Sequence, residues 1–225
     1  MIYFIRSMPM GRFEIKEVRR TQLIEATIDM IARHGFSQLT LADVAQAAKL
    51  STGIVNFYFR SKEELLVATL RHLATSYERF LAMAVERAGE DPAEQFAAII
   101  EADFDPRVAS RKHVTVWYAF WGEARWRPEY LEIYVELSDR FFAQTRALCA
   151  AIAARGGYHD LDLDAIARGF NAMSDGLWLD LLTNPKGLSR EEAKRTAYAF
   201  LARVFPREFA HRARPPQPGA AIASR

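Results

Sequence analysis

One cysteine in 225 residues, Cys149, rules out an internal disulfide and suits a reducing compartment, the cytoplasm. Long apolar runs are missing as well, and none approaches the ~18 residues that a membrane helix needs. The five histidines (His34, His72, His113, His159 and His211) are scattered. They form neither an HExxH pair nor a Cys/His ligand spacing, so no metal centre is expected. Neither a glycine-rich phosphate loop nor a G-x-S-x-G elbow occurs. The chain is therefore read as no enzyme, without a cofactor. A strong charge of one sign is lacking too. The net charge is +2, so composition alone does not announce a partner for nucleic acid.

Charge distribution says more. Residues 1–72 carry 10 Lys and Arg against 7 Asp and Glu, and the remainder carries 20 against 21. The mild basic excess sits at the N-terminal end, where phosphate contacts would be useful. Hydrophobic residues make up 50% and charged residues 26%, ordinary values for a globular chain.

Apolar residues recur at three and four, and strand-like alternation is absent, so an all-α fold is expected. The opening "MIYFIRSMPMGRF" is apolar but short, is broken by Arg6 and Pro9, and lacks a signal-peptide layout. Residues 1–17 read as a flexible arm, over-extended if translation begins at Met8 or Met10. A first helix is expected over Val18–His34, stopped by Gly35. Thr40 with Asp43 opens a short helix, Ser51 or Thr52 caps another, and Ser61 with Glu64 launches a long one to about Arg87. Breaks at "AGEDP", "DFDP", "GGYHDLD" and "TNPKG" then separate further helices. Two of these cover about Asp164–Leu182 and Ser189–Phe205. Nine helices result: a three-helix head over 18–66, a body over 67–206, and a Pro- and Ala-rich tail over 207–225 expected to be disordered.

The head carries the clearest message. In "LTLADVAQAAKLSTGIVNFYFRSKEELL" small apolar residues (Val44, Ala45, Ala48, Ile54) suit the crossing of two short helices. Short polar or light residues (Ser51, Thr52, Gly53, Asn56) begin the second, where a helix-turn-helix meets base edges and phosphates. Thr40 and the Ser61–Lys62 pair start the flanking helices, where they can clamp the backbone.

Arg19–Leu70 resembles the N-terminal domain of the TetR family of bacterial transcriptional regulators. The matching residues are Gly35, Thr40, Val44–Ala45, Ala48, Ser51, Gly53, Tyr58, Phe59 and Ser61–Leu66. The resemblance implies DNA contacts by Thr40, Ser51, Thr52, Gly53, Asn56, Tyr58 and Lys62, each of which core packing, capping or solvation would also explain singly. Asn56 departs from the pattern, since many members carry Tyr there; an amide can address a base edge instead.

The resemblance also implies a body that binds a small molecule and dimerises, and the body's aromatics suggest what it takes. Trp117, Phe120 and Trp121 share one helix face, Trp126 follows, and Asp175 shares a face with Trp178. Aromatic walls with a carboxylate attract a quaternary ammonium, although rings at this spacing equally fill a core. Glu101, Asp103 and Glu123 are alternative carboxylates. "STGIVNFYFRSKEELL", "AFW" and "DGLWL" together resemble the choline-responsive repressors of the glycine-betaine pathway. That narrower, patchier resemblance implies choline or a related cation as effector and choline-oxidation genes as target. It leaves open a TetR-type repressor of another ligand, or a small-molecule-binding helical protein without a DNA role. The expected assembly is a homodimer on double-stranded operator DNA, in the cytoplasm on the nucleoid and with no membrane partner. The dimer would form through the two long C-terminal helices, with Phe170, Met173, Leu177 and Leu181 on one and Tyr198, Leu201 and Phe205 on the other.

Overall fold

The computed structural model describes residues 12–184 and 186–213. The parts of the expected arm and tail at 1–11 and 214–225 lie outside them. Ten helices are formed among the described residues and no strand: α1 (Arg12–His34), α2 (Leu41–Ala47), α3 (Thr52–Tyr58), α4 (Lys62–Arg87), α5 (Pro92–Asp103), α6 (Arg111–Ala124), α7 (Pro128–Gly156), α8 (Leu163–Thr183), α9 (Arg190–Val204) and α10 (Pro206–Phe209). None is long and apolar enough to cross a membrane. The chain divides into two compact units after His72, inside α4 and six residues beyond the expected boundary. An unbroken helix offers the sequence no mark for that division.

In the first unit α1 begins at Arg12, so residues 12–17 of the expected arm are helical. Between Gly11 and Gly35 the chain has neither Gly nor Pro, and helix propensity carries the helix back to Arg12. Leu23, Ile24, Ile28 and Ile31 bury one face of it. The helix stops at Gly35, whose φ of +79° is in the left-handed region. Thr40 and Asp43 form a reciprocal capping box on α2: the Thr40 hydroxyl accepts from the Asp43 amide (3.1 Å), and the Asp43 carboxylate accepts from the Thr40 amide (3.1 Å). The α2–α3 turn passes through Lys49 at φ +55°, and α1 ties it down where Gln22 Nε2 donates to the Ala48 carbonyl (2.7 Å).

Val44, Ala45 and Ala48 pack at the helix crossing as expected, but the fourth contributor is Val55, fully buried, and not Ile54, which is 36% exposed. With α3 starting at Thr52, 100° per residue brings Val55 to the inner side and carries Ile54 away.

In the second unit α5 to α10 pack with the latter half of α4. Phe96 of α5 meets Phe170 of α8 edge-on (4.8 Å between centroids), and Phe209 of α10 closes on both Phe96 and Tyr198. The C-terminal end therefore departs from expectation. Residues 207–213 are not a disordered tail: Phe205 and Phe209 are fully buried, and Arg212 pairs with Glu94 (2.6 Å). Pro206 ends α9 and also supplies the favoured first position of α10, so one residue serves as stop and start.

Candidate DNA-reading head and ligand cavity

The head presents most of its predicted contacts to solvent. Thr40, Ser51, Thr52, Gly53 and Asn56 are exposed, and Tyr58 and Lys62 are half-buried. Ser51 caps α3 by accepting from the Ile54 amide (3.4 Å), so its hydroxyl is both cap and surface. Ser61 does the same for α4 through the Glu64 amide (3.1 Å). Behind them Phe59 is buried with the Arg20 guanidinium over its ring (5.4 Å), which holds the end of α3 against α1. One exposed side chain escaped the sequence reading: Phe57 is 75% exposed in the middle of this polar set. No local pattern in the sequence signals this exposure.

The second unit holds a partly open cavity of about 60 Å³. Of the six predicted ligand residues it gathers Trp117 and Trp121 from α6 with Asp175 and Trp178 from α8. The other two lie elsewhere. Phe120 is 1% exposed and packs edge-on against Tyr130 (5.3 Å), one helix position inward of the cavity wall. Trp126 stands in the α6–α7 turn, 75% exposed beside the Arg125 guanidinium. Because α6 ends at Ala124, the helical phase relating Trp117 to Trp126 is lost.

Residues distant in sequence complete the walls: Tyr77 from α4, Asp103 from α5, and Tyr134 and Phe141 from α7. Tyr77 meets Trp117, Trp178 and Phe141 at centroid distances of 6.3, 5.8 and 6.3 Å, and Trp121 meets Tyr134 at 5.3 Å. The rings therefore form a continuous box rather than isolated pairs. Glu101 and Glu123, two of the alternative carboxylates, are engaged with Lys194 and Arg127. Asp103, the third, lies in the wall.

Asp103 organises that wall. It is 1% exposed, and its carboxylate accepts from the Tyr77 hydroxyl (2.8 Å) and from the Ser174 hydroxyl, while its main-chain carbonyl accepts from Trp178 Nε1 (3.2 Å). One residue thus fixes two aromatic walls and joins α4, α5 and α8. Burial pushes its carboxyl up to about 6, partly opposed by the two hydroxyl donors. Asp175 stands at the rim with one side in solvent. Partial burial, then the Asp103 charge, raise it to about 6 as well. Its main-chain carbonyl accepts from the Tyr118 hydroxyl (2.6 Å), locking α8 to α6. Trp121 Nε1 is buried with no hydrogen-bond partner among the described residues. Two carboxyls with raised pKa values stand among the rings, and none of the residues that line the cavity is cationic.

A helix-turn-helix head joined by a shared helix to a helical unit with a ligand cavity defines the class: a ligand-responsive DNA-binding regulator. The comparisons make this specific. Residues 23–69 match the family described as bacterial regulatory proteins, tetR family, and residues 92–206 match BetI-type transcriptional repressor, C-terminal. The chain belongs to the TetR family and has a BetI-type C-terminal domain. It is 32% identical over 201 residues to an HTH-type transcriptional regulator BetI of Paraburkholderia xenovorans, covering 87% of this chain and 98% of that relative. To the protein of the same name in Paraburkholderia phymatum it is 38% identical over 176 residues, covering 76% and 84%. The fold resembles that of a regulator from Saccharomonospora viridis solved in complex with choline (TM-score 0.74, 24% identity, 82% of this chain and 96% of that one). A TetR regulator from Haloarcula marismortui is similar at TM-score 0.72 with 17% identity, covering 82% and 96%. The protein is thus a transcriptional repressor of a family whose members bind operator DNA and a small-molecule effector and dimerise.

Proposed function

We propose that this repressor senses choline, or a closely related quaternary ammonium, and controls genes that convert choline to glycine betaine. The observation that carries the reading is the aromatic box closed by Asp103 and Asp175. A trimethylammonium group cannot donate conventional hydrogen bonds, so ring faces and nearby carboxylates are its natural partners. The small volume argues for a ligand of a few heavy atoms, since sites for drug-sized molecules run to ~300–1,000 Å³. The buried, partnerless Trp121 N–H favours a ligand that also carries an oxygen, as the choline hydroxyl would. The names of the relatives and the choline-bound fold neighbour point the same way.

On the DNA side, Ser51, Thr52, Gly53 and Asn56 would enter the major groove, with Thr40, Tyr58 and Lys62 on the phosphates. The dimer would form through α8 and α9, where Met173, Leu177 and Leu181 of the expected face keep partial exposure and four other members of it do not. Phe170, Tyr198, Leu201 and Phe205 are already buried within one protomer. Ala165, Ala172, Gly176 and Leu179 form a narrow exposed stripe on α8, and Thr196, Ala199 and Arg203 one on α9. Ligand control requires that choline favour one state of the dimer over another. α4 is the element that would carry the difference: Tyr77 stands in the cavity wall, and Lys62 opens the same helix in the head.

The test is anisotropy of labelled DNA from the region upstream of the gene, followed by choline titration read by Trp fluorescence and by DNA release. Saturable quenching with loss of DNA affinity is expected. Specific DNA binding that is indifferent to choline would discard the proposed effector and leave the repressor.

A further inference from the structure

The reading helix carries an apolar surface as well as a polar one. With Val55 turned into the core, the direction straight away from the core is shared by Gly53 and Phe57, because α3 turns 100° per residue. Phe57 is 75% exposed, and Ile54, on the adjoining part of that outward half, is 36% exposed. Gly53 beside Phe57 carries no side chain that could cover that surface. There a Cβ would meet nothing nearer than the Ser51 hydroxyl at 3.8 Å. The glycine leaves that turn open. Phe57 meets Tyr58 edge-on at 5.2 Å, and this contact leaves its outward face in water.

An apolar ring held outward on a helix that faces DNA has no use for a phosphate, which requires a donor or a cation. The major groove offers one apolar feature, the C5-methyl group of thymine, and phenylalanine is among the side chains suited to it. We propose that Phe57, supported by Ile54, reads thymine methyl groups in the operator. The head would then recognise bases by two chemistries, amide hydrogen bonding at Asn56 and apolar contact at Phe57. This rests on the reading of α3 as the operator-facing helix.

The test uses the full-length dimer and the upstream fragment prepared twice, once with thymidine and once with deoxyuridine throughout. The uracil duplex keeps every phosphate and every hydrogen-bonding group and lacks only the methyls. Wild type is expected to bind it more weakly by about fourfold for each methyl engaged, the worth of one buried carbon. Phe57→Ala should bind the two fragments within about twofold of each other, because the methyl-sensing group is gone. Phe57→Leu, which keeps an apolar tip, should retain part of the difference. Since Phe57 is exposed, both variants should fold, and circular dichroism checks this. Equal binding of the two fragments by wild type would overturn the inference. So would an equal loss in wild type and Phe57→Ala, which would trace the effect to duplex shape. Either result leaves the operator reading standing. Failure to prefer the thymidine fragment over unrelated DNA would take down both.

Discussion

Asp103 concentrates the chemistry of the cavity in one side chain. Its carboxyl is raised by burial to about 6, against an ordinary value of 3.8. The folded protein therefore holds a proton there that the unfolded chain has already released between these values. Stability contributed by the neutral acid is present below about pH 4 and is lost as pH rises through 6. Asp103→Asn removes the buried charge while an amide can still bridge Tyr77 and Ser174. The ligand-free variant should melt higher than wild type by roughly 3–6 °C at pH 7.5 and show little difference at pH 4. Differential scanning fluorimetry at the two pH values checks this, and equal shifts at both would contradict it. Choline acts in the opposite sense, because a cation favours the ionised carboxylates. Its affinity for wild type should rise as pH climbs through about 6 and then level off, and Asp103→Asn should reduce that rise to the part carried by Asp175 and bind choline at least tenfold more weakly at pH 7.5.

Among the elements, α10 differs most from what its sequence suggests. "PREFAHRARPPQP" is rich in Pro and charge and reads as a tail, yet Phe209 inserts fully between α5 and α9. One aromatic in a polar stretch creates no periodicity, so the signal exists only as a match to a slot on other helices. Phe209→Ala should cost about 3–5 kcal/mol, as truncating a buried aromatic does, and lower the urea midpoint of the body. A loss below about 1 kcal/mol would mean that α10 is dispensable. The starts of α2 and α9 were by contrast announced, and that of α3 to within the choice of Ser51 or Thr52, since their caps are local: Thr40 with Asp43, Ser51 with the Ile54 amide, and Ser189 with Glu192 are contacts within four residues. The start of α1 was less legible. Propensity, with no cap motif to mark the start, carries that helix back to Arg12.

For the whole molecule, the proposed operator reading depends on two heads acting together. Leu179 lies on the exposed stripe of α8 and is 44% exposed in one protomer. If α8 and α9 form the dimer, Leu179→Glu would bury a carboxylate where an apolar side chain packs, at the cost of its desolvation. The variant should sediment as a monomer at micromolar concentration and bind the upstream fragment at least tenfold more weakly, with its helicity intact. A variant that remains dimeric would move the interface elsewhere.

The sequence by itself determined the helical class, the helix-turn-helix head and its outward polar residues. These follow from caps, periodicity and turns, all set by neighbours a few positions apart. It also supplied the aromatic and acidic side chains but not their grouping, so Trp117, Trp121, Asp175 and Trp178 were named together with Phe120 and Trp126. The tertiary structure alone decided that Tyr77, Asp103, Tyr134 and Phe141 complete the walls, that Val55 rather than Ile54 seals the head, and that Phe57 faces outward. Helix spacing limits which residues can share a face, but which face meets which neighbour depends on contacts between residues far apart in the chain.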